Sequence, residues 1–137
     1  MHDAAADCVR IIDQTVLPGR LQLCELRELD EFCHAIADML VRGAPLIGVT
    51  AAYGLAYALR GCSSPGDLAR ACDALAATRP TAINLRWALD RVCRALDGKP
   101  VDTWPDVALE AAHAITREDV AACRGIGEQA LPLVQSV

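Results

Sequence analysis

Aromatic side chains are scarce in this sequence: one Phe, two Trp and two Tyr make up 4% of 137 residues. A core built around large rings is excluded, and the hydrophobic 53% must come mainly from Ala and Leu, both strong helix formers. Lysine is nearly missing as well, since Lys99 stands alone among the 13 basic residues. The net charge is −5, which leaves no clustered basic face and excludes a sequence-independent grip on DNA or RNA. No stretch of about 18 residues is apolar and uncharged enough to span a bilayer; the longest apolar run, Ala44 to Leu59, is short and rich in Gly and Ala. Cysteine is not lacking, but its pairing signals are. The seven Cys (Cys8, Cys24, Cys33, Cys62, Cys72, Cys93, Cys123) are odd in number, form no CxxC and match no zinc spacing. The opening MHDAAADCVR has no apolar leader core. A cytoplasmic protein with reduced, mostly buried thiols is the expectation.

What is present reads mainly as helix. Residues 1–7 are expected to fray. Cys8 to Val16 is β-rich, Pro18-Gly19 signals a turn, and Arg20 to Leu26 largely alternates polar and apolar, so a hairpin is expected over about 8–26. From Glu28 to Val41 the residues Leu29, Phe32, Cys33, Ile36 and Leu40 form one helical stripe, with Asp30 and Glu31 in the first turn. Arg42-Gly43-Ala44 interrupts it. Pro45 opens a helix to about Leu59 that is apolar nearly all round, hence central. Ser63-Ser64-Pro65-Gly66 is a turn and cap before a helix over Asp67–Thr78, which Arg79-Pro80 ends. A fourth helix is expected from about Thr81 to Leu96, a fifth from the Thr103 cap to about Ile115, and a sixth from the Thr116 cap onward, weakened by Gly125, Gly127 and Pro132. The fold class predicted is mainly α: an amino-terminal hairpin and a bundle of about six helices over 28–136, forming one domain across 1–137.

Two segments carry chemistry. In Val41-Arg42-Gly43-Ala44-Pro45, one helix gives way to another whose first N–H groups are free beside a positive dipole end. Gly43 lets a ligand approach the backbone, and Arg42 offers a forked cation, so the segment fits a phosphate seat without being a Walker loop. Arg79-Pro80-Thr81-Ala82-Ile83-Asn84-Leu85 repeats the arrangement. On physics alone the plainer alternative, a routine helix boundary with a solvated Arg, stays ahead at each. Cys33, Cys72 and Cys93 fall on apolar stripes as core thiols, and His2, His34 and His113 are scattered. Asp13-Gln14 reads as a structural hydrogen-bonding pair.

Three segments together resemble a known family: Ile12-Asp13-Gln14-Thr15-Val16-Leu17-Pro18, the run from Val41 to Gly54 that begins Val41-Arg42-Gly43-Ala44-Pro45, and the run from Arg79 to Leu89. Their order and spacing resemble the start of the methylthioribose-1-phosphate isomerases, whose wider family includes ribose-1,5-bisphosphate isomerases and the regulatory subunits of initiation factor 2B. The resemblance implies an intramolecular oxidoreductase of methionine salvage. It converts the aldose 5-methylthioribose 1-phosphate to its ketose without metal or organic cofactor. It implies substrate contacts from Arg42, Gly43, Ala44 and Arg79, and it tips both segments toward phosphate binding. It also places the catalytic Cys and Asp in a following Rossmann-like domain. No matching Cys motif occurs here, so no catalytic residue is expected in this chain. Leu46 replaces a more usual Ala, and the resemblance leads to the expectation of a short amino end, since the family usually has a preceding strand with a Trp. The expectation is an amino-terminal fragment that binds the sugar phosphate, is inactive alone, and pairs with a carboxyl-terminal domain chain or homologue. The alternative is a non-catalytic binding or assembly module related to the initiation factor 2B subunits. Neither nucleic acid nor membrane is an expected partner.

Overall fold

The computed structural model describes residues 2–135. Three short strands, β1 (His2–Asp3), β2 (Cys8–Ile12) and β3 (Leu23–Leu26), form an antiparallel sheet in the order β1-β2-β3. In β2, Cys8, Val9 and Ile11 are buried while Arg10 and Ile12 face out; this alternation fixes the register, with Val9 opposite Leu26 and Ile12 opposite Leu23. The expected hairpin is present, but the expected frayed end is not: His2 and Asp3 pair with Val9 and Cys8. Neither residue favours strand by itself. The pairing is held by the Asp3 carboxylate, which accepts from the N–H groups of Ala5 and Ala6 and bridges to Arg10 at 2.9 Å, and Arg10 in turn meets Glu25 on β3 at 3.3 Å. The β-rich run also stops earlier than its composition predicts. At Asp13 the side chain accepts from the N–H (2.9 Å) and hydroxyl (2.6 Å) of Thr15 and starts a 3-10 turn over Gln14–Val16.

Five α-helices follow among the described residues: α1 (Leu29–Ala37), α2 (Ala44–Ala58), α3 (Pro65–Thr78), α4 (Ile83–Leu96) and α5 (Trp104–Gln135). Helix α1 is started by Glu31, whose carboxylate accepts from the backbone N–H groups of Arg27 and Glu28. It ends four residues before the predicted Val41, because Met39 takes a left-handed φ of 62° and turns the chain away. Helix α2 is the centre. Every residue from Ile47 to Tyr57 is buried, and it packs against α1, α3, α4 and α5. Gly48 allows the approach of α4: a Cβ there would lie 2.8 Å from the Asn84 carbonyl oxygen. Helix α3 is capped by Ser64 and Asp67, each bonding the other's backbone.

The predicted fifth and sixth helices are one. Thr116 does not cap a new helix; its hydroxyl donates to the Ala112 carbonyl one turn back at 2.9 Å, a bond made inside a continuing helix. Thr103 precedes α5, but its hydroxyl donates to Pro100 at 2.7 Å. With 32 residues, α5 runs about 48 Å. Its first half buries Trp104, Ala108, Ala112 and Ile115, and beyond Ile115 it buries nothing. Among the described residues no helix is long and apolar enough to cross a membrane.

Candidate functional site

The α1–α2 connection and the α3–α4 connection meet. A hollow of about 440 Å³ is lined by Gly43, Ala44 and Ile47 from the start of α2 and by Arg79, Thr81, Ala82, Ile83 and Asn84 from the start of α4. Each wall is shaped locally. Gly43 caps α2 with a φ of 97°, a backbone conformation that favours glycine over residues with a side chain, and its carbonyl accepts the first helical bond, from Ile47. The second wall is a tight turn closed by the Ala82 N–H on the Arg79 carbonyl at 3.0 Å, braced by Arg86, whose Nε donates to the Pro80 carbonyl. Pro80 therefore sits in this turn and not at the helix start, which falls at Ile83 because the turn consumes Thr81 and Ala82.

The electrostatics of the two helix starts set them apart from the others. Helices α1 and α3 have Glu31 and Asp67 in their first turns, and these carboxylates accept from the N–H groups of Arg27 and Glu28 and of Ser63 and Ser64 just ahead of each helix. Neither α2 nor α4 has a side-chain cap bond or an acidic residue in its first turn. Both positive ends are open, and both border the same hollow. An anion lodged there would occupy the place that a capping carboxylate takes elsewhere. Arg79, half-buried at the end of α3, adds a guanidinium with no acceptor among the described residues.

Of the four expected site residues, Gly43, Ala44 and Arg79 line the one hollow. Arg42 does not. It is exposed, and its Nε donates to the Met39 carbonyl at 3.3 Å. It lies near Asp13, whose carboxyl is held below the ordinary carboxylate range first by the two Thr15 bonds and further by Arg20 and Arg42. Asp13-Gln14 thus does the structural work expected of it, with the Gln14 N–H tied to the Leu40 carbonyl. Asn84 was not among the expected site residues. Its position one residue into α4 was the available signal, since a first-turn side chain beside a free helix end reaches whatever that end binds.

A larger hollow, about 740 Å³, lies elsewhere, around Tyr57, Arg60 and Arg70. Its arginines are already neutralised: Arg60 by Asp7 at 2.8 Å, Arg70 by Asp67, and Arg27 by Glu25 at 2.6 Å. Size favours this hollow, but free positive charge favours the smaller one.

The histidines and thiols depart from expectation. His2 and His113 are not scattered: strand β1 brings the His2 ring within 3.3 Å (N to N) of His113 and stacks it on Tyr53. Burial, His113 and Arg60 push the His2 imidazole below its usual value. His34 is exposed and paired with Asp38 at 2.5 Å. Only Cys8 is fully buried; Cys24, Cys33, Cys62, Cys72 and Cys93 are half-buried and Cys123 is exposed. The stripe thiols Cys33, Cys72 and Cys93 pack against the core from its edge instead of lying inside it. Among the described residues no three of His, Cys, Asp and Glu gather where they could hold a metal ion.

A short antiparallel sheet leading into a bundle of helices, with two open helix starts around one hollow, defines a mainly helical domain. Residues 40–136 match the Initiation factor 2 subunit family, and the chain belongs to it. Over 135 residues it is 50% identical to the methylthioribose-1-phosphate isomerase of Methylorubrum extorquens, an alignment covering 98% of this chain and 37% of that protein. The fold is similar to that of 5-methylthioribose 1-phosphate isomerase from Pyrococcus horikoshii OT3, with TM-score 0.77 and 32% identity, covering 83% of this chain and 35% of the other. It is also similar to the translation initiation factor eIF-2B, subunit delta, from A. fulgidus, with TM-score 0.74 and 36% identity, covering 83% and 37%. The chain spans about 37% of the length of the first curated relatives it matches.

Proposed function

We propose that this chain is the amino-terminal, sugar-phosphate-gripping part of a methylthioribose-1-phosphate isomerase. The observation that carries the proposal is the convergence of two uncapped helix starts and the unpartnered Arg79 on one hollow. The names of the similar proteins supply the substrate class. In this assignment the N–H groups of α2 and α4 and the Arg79 fork hold the phosphate. Gly43 and Ala44 let it come close to the backbone. Arg42, exposed and held by one 3.3 Å bond, swings in from the rim. Isomerisation itself moves a proton between neighbouring sugar carbons and needs an acid and a base in a dry pocket. The hollow holds no carboxylate, histidine or thiol, so that pair is supplied by a following domain and the chain alone binds without turning over.

Calorimetric titration of the chain with 5-methylthioribose 1-phosphate, and with inorganic phosphate, tests this. Arg79→Ala removes a charged hydrogen bond of about 1.5–3 kcal/mol, discounted for half-exposure to about 1–2 kcal/mol, which is roughly 5–30-fold in affinity. An Arg79→Ala chain that titrates like the parent refutes the seat. The likeness to eIF-2B subunit delta and the exposed second half of α5, with Ile126 70% and Val134 71% exposed, favour a second reading: a non-catalytic assembly module. Mixing with a separately made carboxyl-terminal domain of a relative separates the two, since recovered isomerase activity supports the first and a complex without activity supports the second.

A further inference from the structure

Cys72 on α3 and Cys93 on α4 are neighbours across the helix pair, with Sγ atoms 3.5 Å apart. Among the described residues no other two thiols touch. Both are half-buried, and they open onto a hollow of about 220 Å³ that Asp73, Arg86 and Asp90 also line. That space is several times the ~30 Å³ a water molecule occupies in the liquid, so a small oxidant fits. Bringing the sulfurs to bonding distance needs a closure of roughly 1.5 Å.

We propose that Cys72 and Cys93 form an oxidisable dithiol that a hydroperoxide converts to an intrachain disulfide. The Cys93 thiolate attacks one peroxide oxygen, the O–O bond breaks, and Cys93 becomes a sulfenic acid while hydroxide leaves and takes up a proton. The Cys72 sulfur then attacks Cys93 Sγ, and the S–O bond breaks. The departing oxygen collects the Cys72 proton and leaves as water. Two thiols and one hydrogen peroxide give one disulfide and two waters.

The pair also divides the roles. The contact with Cys72 holds the Cys93 thiol below its ordinary value, against burial and the carboxylates of Asp90 and Asp97. Sharing its hydrogen with Cys93, and burial, push the Cys72 thiol up. Cys93 is thus the attacking sulfur and Cys72 the resolving one. The ring so closed runs from Cys72 to Cys93 and contains the Arg79–Asn84 segment, although the thiol chemistry stands without the phosphate seat.

The test uses the full chain, reduced, freed of metal and treated with equimolar hydrogen peroxide. Remaining thiols are alkylated, and a tryptic digest is read by mass spectrometry with and without dithiothreitol. Trypsin spares the Arg79-Pro80 bond, so the expected product is residues 71–86 joined to residues 92–94. Two of the seven alkylatable thiols are lost, and no dimer forms. A Cys72→Ser chain is expected to accumulate a Cys93 sulfenic acid that dimedone traps. The proposal is overturned if the first link joins other cysteines, if Cys72 and Cys93 remain alkylated while other thiols oxidise, or if Cys93 advances to the sulfinic acid with Cys72 still free. The wild-type digest decides the matter even if the variant does not fold.

Discussion

Replacing Gly48 by Ala tests the central packing of the bundle. The added Cβ meets the Asn84 carbonyl oxygen at 2.8 Å, the Asn84 carbonyl carbon at 3.3 Å and the Ala88 Cβ at 3.5 Å. Two of these three atoms are backbone, so no side chain can rotate out of the way. Restoring ordinary contact needs α2 and α4 to part by roughly 0.6 Å, the difference between 2.8 Å and normal van der Waals approach. Overpacking of this kind costs about 1–3 kcal/mol, while the gain in helix propensity from Gly to Ala returns about 1 kcal/mol. A net loss of up to about 2 kcal/mol is expected, read as a lower urea midpoint with unchanged slope. Gly125 in α5 is the control, because a Cβ there meets nothing within 4 Å. Gly125→Ala gains propensity alone and is expected to leave the midpoint unchanged or raise it. The reasoning is refuted if Gly48→Ala raises the midpoint as Gly125→Ala does. Because the displaced atoms belong to Asn84, the same substitution is expected to weaken phosphate binding.

Three further outcomes follow. The Asp67 carboxyl is held down to about 2 by the Ser63 N–H and the Ser64 hydroxyl and N–H, against an ordinary 3.8. Its folded value is depressed, so its contribution to stability is present above 3.8 and is lost as pH falls through about 2; thermal melts of Asp67→Asn and wild type should differ at neutral pH and converge in that window. The His2 imidazole is lowered from 6.5 by burial, His113 and Arg60. The folded chain thus binds its proton less readily than the unfolded one, and stability should fall as pH drops below 6.5. His113→Gln should soften that loss, and an unaltered pH profile in the variant would disprove the coupling. Pure chain is expected to show no isomerase turnover with 5-methylthioribose 1-phosphate, and any turnover that survives repurification contradicts the assignment of catalysis to another domain.

Periodicity and punctuation alone settled the mainly helical class, the buried identity of α2 and the cap of α3. Those signals are local: an apolar surround from Ile47 to Tyr57 and a Ser64–Asp67 exchange need no distant partner to be legible. Gly43 and the Arg79-Pro80 break marked two helix boundaries in the chain, while only the family resemblance pointed those boundaries toward phosphate. Tertiary structure decided what those signals could not reach. It recruited His2–Asp3 into a sheet because Arg10 and β2 offered partners. It joined two expected helices into α5 because Thr116 bonds backward within a helix already docked through Ala112 and Ile115. It also gathered the starts of α2 and α4 around one hollow, leaving Arg42 at the rim, and set Cys72 against Cys93. Each depends on a distance between residues far apart in the chain, and such a distance is a property of packing: Gly48 permits the α2–α4 approach only once both helices exist and press together.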